Sequence, residues 1–197
     1  MGGDGATNAA NTGNGAAVSP TGDRHVLWDG DGNGDSAKGW ADCDKKPGCK
    51  ATLAPAPGKG VDDSTALHFH AEGPGWLGMG WNFIGWWPED GGFDVSGYSK
   101  LTFSIRVASE SAEVAPDPGS VNISLRCSKG KKDSAAVSVK NYAPDLLNGE
   151  WHQVSMPLGE FTKDEFDPGT VWEMNLSTWS EAPKKFDVFL DNIAVEK

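Results

Sequence analysis

Tyrosine is nearly missing from this chain of 197 residues: there are two, against nine tryptophans. Cations are also scarce, with 17 Lys and Arg against 28 Asp and Glu for a formal charge of −11. A nucleic-acid role is thereby excluded, because nothing could neutralise a run of phosphates. Long apolar runs are absent, and none approaches the ~20 residues that a membrane-spanning helix needs. No stretch has the periodicity of an amphipathic helix, and there is no internal repeat. Residues 1–23, MGGDGATNAANTGNGAAVSPTGD, lack a charged region followed by an apolar one. No signal peptide is expected there, and the stretch reads as a disordered Gly/Asn/Ala linker ahead of one domain over 24–197.

Cysteine is limited to three residues. Cys43 and Cys49 flank DKKPG, a turn-forming pentapeptide that brings them within bonding reach. A Cys43–Cys49 disulfide is the expectation for an exported chain. Cys127 closes an apolar-alternating segment and reads as a buried thiol. Zinc is the weaker reading, since His25, His68, His70 and His152 do not sit at finger spacing from any cysteine pair. His68 and His70 share one strand face, which suits a transition metal, but no third ligand is evident and a solvated pair is the plainer reading.

What the chain does have is turns: 26 Gly and 12 Pro. From residue 65 onward they separate short segments at 65–71, 76–85, 100–107, 120–127, 135–140, 150–158, 172–179 and 186–196. In 100–107, Leu101, Phe103, Ile105 and Val107 alternate with Thr102, Ser104 and Arg106; in 120–127, Val121, Ile123, Leu125 and Cys127 alternate with Asn122, Ser124 and Arg126. Period two means one face in a core and one in water. Eight such strands predict an all-β fold, a two-sheet antiparallel β-sandwich of jelly-roll topology. Jelly-roll order puts 76–85, 120–127, 135–140 and 172–179 in one sheet, and 65–71, 100–107, 150–158 and 186–196 in the other. The segments before residue 65 add edge strands, HVLWD (25–29) being the best candidate.

Three segments, FDVSGYSKLTFSIRV, LNGEWHQVSMPLGEF and FDVFLDNIAVE, resemble hallmark stretches of β-jelly-roll carbohydrate-binding modules of the family 11, family 30 and family 4/22-like groups. The resemblance covers about residues 24–197. It implies a non-catalytic module that binds glycans along a concave sheet. Physical chemistry gives the same outline, since sugar C–H faces stack on aromatic planes and sugar hydroxyls need fixed hydrogen-bond partners.

On the first sheet, parity projects Asn122, Ser124, Arg126, Ser138, Lys140, Asn175, Ser177 and Trp179 outward. Trp179, opposite in parity to Met174, Leu176 and Thr178, is the leading stacking candidate. Trp86 and Trp87, beside Pro88, either wall a cleft or cap the sandwich. Arg126, Asn82, Asn122 and Asn175 are candidate hydroxyl partners. Trp81 shares parity with Leu77 and Met79 and is assigned to the core; Trp28, Trp151 and Trp172 are assigned structural roles. An acidic module repels uronic-acid polymers, so the expected partner is a neutral polysaccharide: β-glucan, xylan or mannan.

The stretch WDGDGNGDSAKGW (28–40) begins like an EF-hand, but counting from Asp29 the twelfth position, which needs a bidentate carboxylate, is Trp40. The resembled modules hold a structural calcium between the first and last strands, which implies Asp29 or Asp31 with Asp191 as ligands. Otherwise the Asp-Gly pairs simply make turns. Two rival functions stand beside the binding module. A jelly-roll glycoside hydrolase or polysaccharide lyase needs a carboxylate set on its concave sheet, where only Glu173 falls within a strand. A structural or adhesive surface protein would place all its tryptophans in the core. The setting expected is extracellular or cell-surface, with the module tethered to a larger glycan-active protein.

Overall fold

The computed structural model describes residues 22–30, 38–44, 46–83, 91–108, 120–128 and 132–197. These residues form β1 (Arg24–Trp28), β2 (Lys38–Cys43), β3 (Lys50–Ala56), β4 (Ala66–Asn82), β5 (Lys100–Val107), β6 (Asn122–Cys127), β7 (Val137–Ser138), β8 (His152–Pro157) and β9 (Val171–Glu196). Short 3-10 turns join them, and no α-helix occurs among the described residues. No described helix is long and apolar enough to cross a membrane.

Two long strands organise everything. β4 and β9 run antiparallel from Leu67↔Leu190 to Asn82↔Glu173, with the register shifting between Gly73 and Gly75. The segments on either side of GPG, read from sequence as separate strands, are thus halves of one strand. Gly73 and Gly75 have φ of 132° and 89°, conformations that side chains resist, so the ladder bends there without ending. The strands on either side of SEAPKK are joined likewise within β9.

The bend divides a single curled sheet into two facing layers. One contains β2, residues 75–82 of β4, residues 171–180 of β9, β6 and β7; the other contains β3, residues 66–73, residues 184–196, β5, β8 and β1. The grouping expected from the sequence holds, and the fold is the expected antiparallel β-sandwich. β1 pairs with the end of β9, as foreseen for HVLWD. β2 and β3 add one edge to each layer. Pro55, which has no N–H to give, sits in β3 where an edge strand tolerates it.

The core lies between the layers. Phe69 meets Phe186 edge-on at 6.0 Å, and Trp28 meets Trp81 at 5.8 Å. Leu101, Phe103, Ile105, Ile123, Leu125, Met174, Leu176, Val188 and Leu190 are all buried. Each such side chain contributes about 1.5–3 kcal/mol by leaving water. The expected bridge is present: Cys43 and Cys49, with Cα atoms 6.2 Å apart, tie the end of β2 to the start of β3. Cys127 is free and buried.

The outer face of the second layer is not the simple solvated surface expected from its sequence. His68 Nε2 and His70 Nδ1 lie 2.9 and 2.8 Å from Oδ1 of Asp187, a buried carboxylate on the neighbouring strand. His68 also stacks on Phe189 at 4.5 Å. Among the described residues no group of three or more His, Cys, Asp or Glu side chains is placed to hold a metal ion.

Candidate functional site

The outward face of the first layer can be read rung by rung from its register. One rung carries Trp76 opposite Trp179, the next Gly78 opposite Ser177 and Asn122. Then come Trp40, Gly80, Asn175 and Ser124, and last Asn82, Glu173 and Arg126. All share one face because they are spaced by two.

The two glycines make the floor. A Cβ added at Gly78 would come within 2.2 Å of the Trp76 ring, and one at Gly80 within 2.3 Å of Trp40 Nε1. Both indoles therefore pack against bare backbone, in space that any side chain at Gly78 or Gly80 would take. Trp40 and Trp76 are nearly parallel, with an interplanar angle of 25° and centroids 6.2 Å apart. Trp179 continues the surface on the adjacent strand and is 53% exposed, the single exposed large hydrophobic among the described residues. A flat aromatic surface next to water has an energetic use only if an apolar face covers it.

Neither Trp40 nor Trp76 was singled out as a site residue from sequence. A usable signal existed for Trp76, which has the parity of Gly78 and Gly80 and the opposite parity to Leu77, Met79 and Trp81. Trp86 and Trp87 lie outside the described residues. Trp81 and Trp172 are buried in the core.

At the Trp40 end the sheet turns polar. Glu173 is 1% exposed, and Trp40 Nε1 donates to its Oε2 at 2.9 Å. Arg126 donates to Asp133 with Nε and Nη2, at 2.7 and 3.2 Å, while its Nη1 lies 3.6 Å from Glu173 Oε1. Asn82 is fully buried with both amide atoms unpaired, and Asn175 Oδ1 is unpaired as well. Asn122 donates from Nδ2 to the Ser120 carbonyl. The candidates Asn82, Asn175, Arg126, Asn122 and Trp179 are thus gathered on one face.

Burial pushes the Glu173 carboxyl above its ordinary range, partly opposed by the Trp40 hydrogen bond and by Arg126. A carboxyl whose pKa is higher folded than unfolded binds its proton more tightly in the fold. Its stabilising contribution is complete below the ordinary value of about 4.3 and fades as pH rises through the folded value. Glu173→Gln keeps an acceptor for the Trp40 indole and cannot ionise. Its melting temperature is expected to fall less than that of the wild type between pH ~4 and pH ~7. Identical pH slopes for the two proteins would refute this.

Asp191, expected among the calcium ligands, is fully buried. Its Oδ2 accepts from Val61 N at 2.8 Å and Ser64 Oγ at 2.7 Å, and its Oδ1 from Asn192 N at 2.7 Å. Asp29 is half-buried on the neighbouring segment, where Gly30 packs against Thr65. Asp31 lies outside the described residues.

Comparison with known proteins agrees with this geometry. The family model described as "Carbohydrate binding domain 30" matches residues 27–197. No curated protein matches the chain. Among solved structures, the family 30 carbohydrate-binding module of the cellulosomal cellulase Cel9D-Cel44B of Clostridium thermocellum superposes with a TM-score of 0.60 at 20% identity, covering 81% of this chain and 91% of that one. The family 11 module from the same organism, in complex with a β-1,3-1,4-mixed-linked tetrasaccharide, gives 0.54 at 13% identity, covering 88% and 95%. A β-1,2-glucanase from Parabacteroides distasonis gives 0.59 at 17% identity, with 87% of this chain matching 24% of that one. At these identities the structural likeness speaks for the fold.

Proposed function

The chain belongs to the carbohydrate-binding domain 30 family and is a non-catalytic binding module, and from that premise we propose that it holds a neutral polysaccharide along the Trp40–Trp76–Trp179 surface. The observation that carries this reading is the pair of near-parallel indoles packed over Gly78 and Gly80. Sugar rings stack on such planes by their C–H faces, while the amides of Asn175 and Asn122 lie within the same strip for their hydroxyls. β-Glucan is the first candidate, ahead of xylan and mannan. The tetrasaccharide complex of the family 11 module supports that order, because the two chains share a fold.

Neutral ligands fit the charge. The chain carries −11 overall, and Asp42 stands exposed on the edge strand opposite Gly78. Electrophoresis through gels containing soluble β-glucan, xylan, mannan or a polyuronate tests the reading. Retardation is expected in a neutral glycan and not in the polyuronate. Raising the salt should leave the affinity unchanged, since no ion pair forms on binding. A folded protein that no neutral glycan retards would overturn the proposal.

The calcium implied by the first and last strands is proposed as a structural ion, held by Asp29 and Asp191 with Asp31 as a further candidate. Three of Asp191's acceptor positions are already occupied by chain donors, so the ion would share that carboxylate with the turn at 61–64. It would add folding stability and take no part in stacking. We also propose an extracellular setting, to which the Cys43–Cys49 bridge is suited. Attachment to a larger glycan-active protein completes the proposal. The fold's match to about a quarter of a β-1,2-glucanase chain supports it.

A further inference from the structure

The face opposite the tryptophan platform carries its own groove. It has a volume of about 460 Å³ and is lined by side chains of β5 and β8, by Trp151 and by Asn192, within the ~300–1,000 Å³ span of small-molecule sites. We propose that this groove is a second saccharide-binding site, so that the module presents one glycan site on each layer.

Three observations carry the proposal. First, the groove holds polar side chains with nothing to bond to. Ser104 and Gln153 sit directly opposite each other on β5 and β8. Ser104 is only 8% exposed, and no described group hydrogen-bonds its hydroxyl, the Gln153 amide or the Asn192 amide. Opening into the groove rather than bonding within the protein, these groups are free to serve whatever enters it.

Second, the aromatic wall is held in place. The Arg106 guanidinium lies over the Trp151 ring at 5.1 Å and over Phe189 at 4.7 Å, and Phe189 stacks on His68 in turn. Trp151 is therefore clamped on one side by a cation that is itself packed, and such preorganisation lowers the cost of binding. Third, the backbone is distorted where the groove needs it. Against β5 the register of β9 shifts between Thr102 and Ser104, and against β1 it shifts between Val26 and Trp28. Asn192 falls in that bulge with φ of 54°. A bulge of this kind re-aims a side chain, here one that lines the groove.

The chemistry selects the ligand class. The two ionic groups of the lining, Arg24 and Glu196, pair with each other at 3.2 Å, which leaves the groove without an uncompensated charge. What remains is an indole, two amides and hydroxyls. That inventory suits a neutral polyhydroxylated molecule and offers no grip on an anion or a cation. A module with two such faces can bridge two polysaccharide strands.

The test is titration calorimetry of the whole chain with β-1,4-linked glucohexaose, xylohexaose and mannohexaose and with the mixed-linked tetrasaccharide. Two oligosaccharides per chain are expected for at least one of them. Trp76→Ala should leave one, and adding Gln153→Ala should weaken that one tenfold or more. Gln153 is exposed and outside the core, so this variant is expected to fold; Ser104→Ala serves as a second probe. Residual binding in Trp76→Ala that ignores both Gln153→Ala and Ser104→Ala would overturn the proposal. So would a stoichiometry of one that Trp76→Ala abolishes. If Trp76→Ala changes nothing while Gln153→Ala removes all binding, the groove stands and the platform falls.

Discussion

Trp76→Ala is expected to lower affinity for soluble β-glucan by roughly thirtyfold, the counterpart of about 2 kcal/mol for truncating an aromatic anchor at the centre of an interface. Trp40→Ala should cost a similar amount, and the double variant should keep only the retardation that the opposite groove supplies, which Gln153→Ala then removes. Trp179→Ala should cost less, since that ring lies at the edge of the strip and half in water. A sharper test leaves every tryptophan in place. Gly78→Ala puts a methyl group 2.2 Å from the Trp76 ring, which forces the indole up from the sheet. If flatness is what binds sugar, Gly78→Ala should lose nearly as much affinity as Trp76→Ala while its melting temperature moves little. Full affinity in Gly78→Ala would mean that apolar area, not ring geometry, drives the interaction. Full affinity in both Trp40→Ala and Trp76→Ala would remove the platform altogether.

The platform was half legible in the chain, and the reason is instructive. Trp179 declares itself because its neighbours Met174, Leu176 and Thr178 alternate cleanly. Trp76 obeys the same rule, but its strand partners on that face are Gly78 and Gly80, which carry no side-chain signal and read as weak points in a strand. Their function is to be empty so that indoles can lie on them. Trp40 was harder still. It sits in KGWADC, where no alternation marks a strand, and it reaches the site only because β2 pairs with the far half of β4. Cross-strand register is tertiary information that a single sequence does not print.

The layers themselves were legible because alternation survives in strands such as β5 and β6, whose inward residues build the core. The joins were not. GPG and EAPKK carry turn chemistry, and the usual consequence is a chain reversal. Here β4 and β9 face each other through both interruptions, so the ladder absorbs the irregularity as a bend. The opposite groove was hidden for a related reason. Gln153 and Ser104 look like ordinary solvent-facing positions, and only the fold brings Trp151 and the Asn192 bulge to line the same groove beside them.

The bulge rests on Asp191, and Asp191→Ala is the change expected to damage the fold most. The carboxylate is fully buried and accepts from Val61 N, Ser64 Oγ and Asn192 N. Asp62, Asp63 and Asn192, with φ of 54°, 62° and 54°, all occupy the left-handed region, which costs roughly 1–2 kcal/mol apiece for residues with a Cβ. Asp191 holds the ends of that strained turn to the bulge. Removing it strands three donors, at about 1–3 kcal/mol each and only partly offset by relaxation of the strained turn, a large share of the ~5–15 kcal/mol that keeps a domain folded. The melting temperature should drop by roughly 10 °C or more. Asp191→Asn should be damaged too, because its amide N–H₂ replaces one acceptor with a donor facing donors. The same pair of proteins weighs the calcium proposal. If the ion shares this carboxylate, chelator lowers the wild-type melting temperature and leaves Asp191→Ala unmoved. If chelator moves neither, the calcium proposal fails. The chain's own donors are then sufficient to tie its last strand to the turn at 61–64.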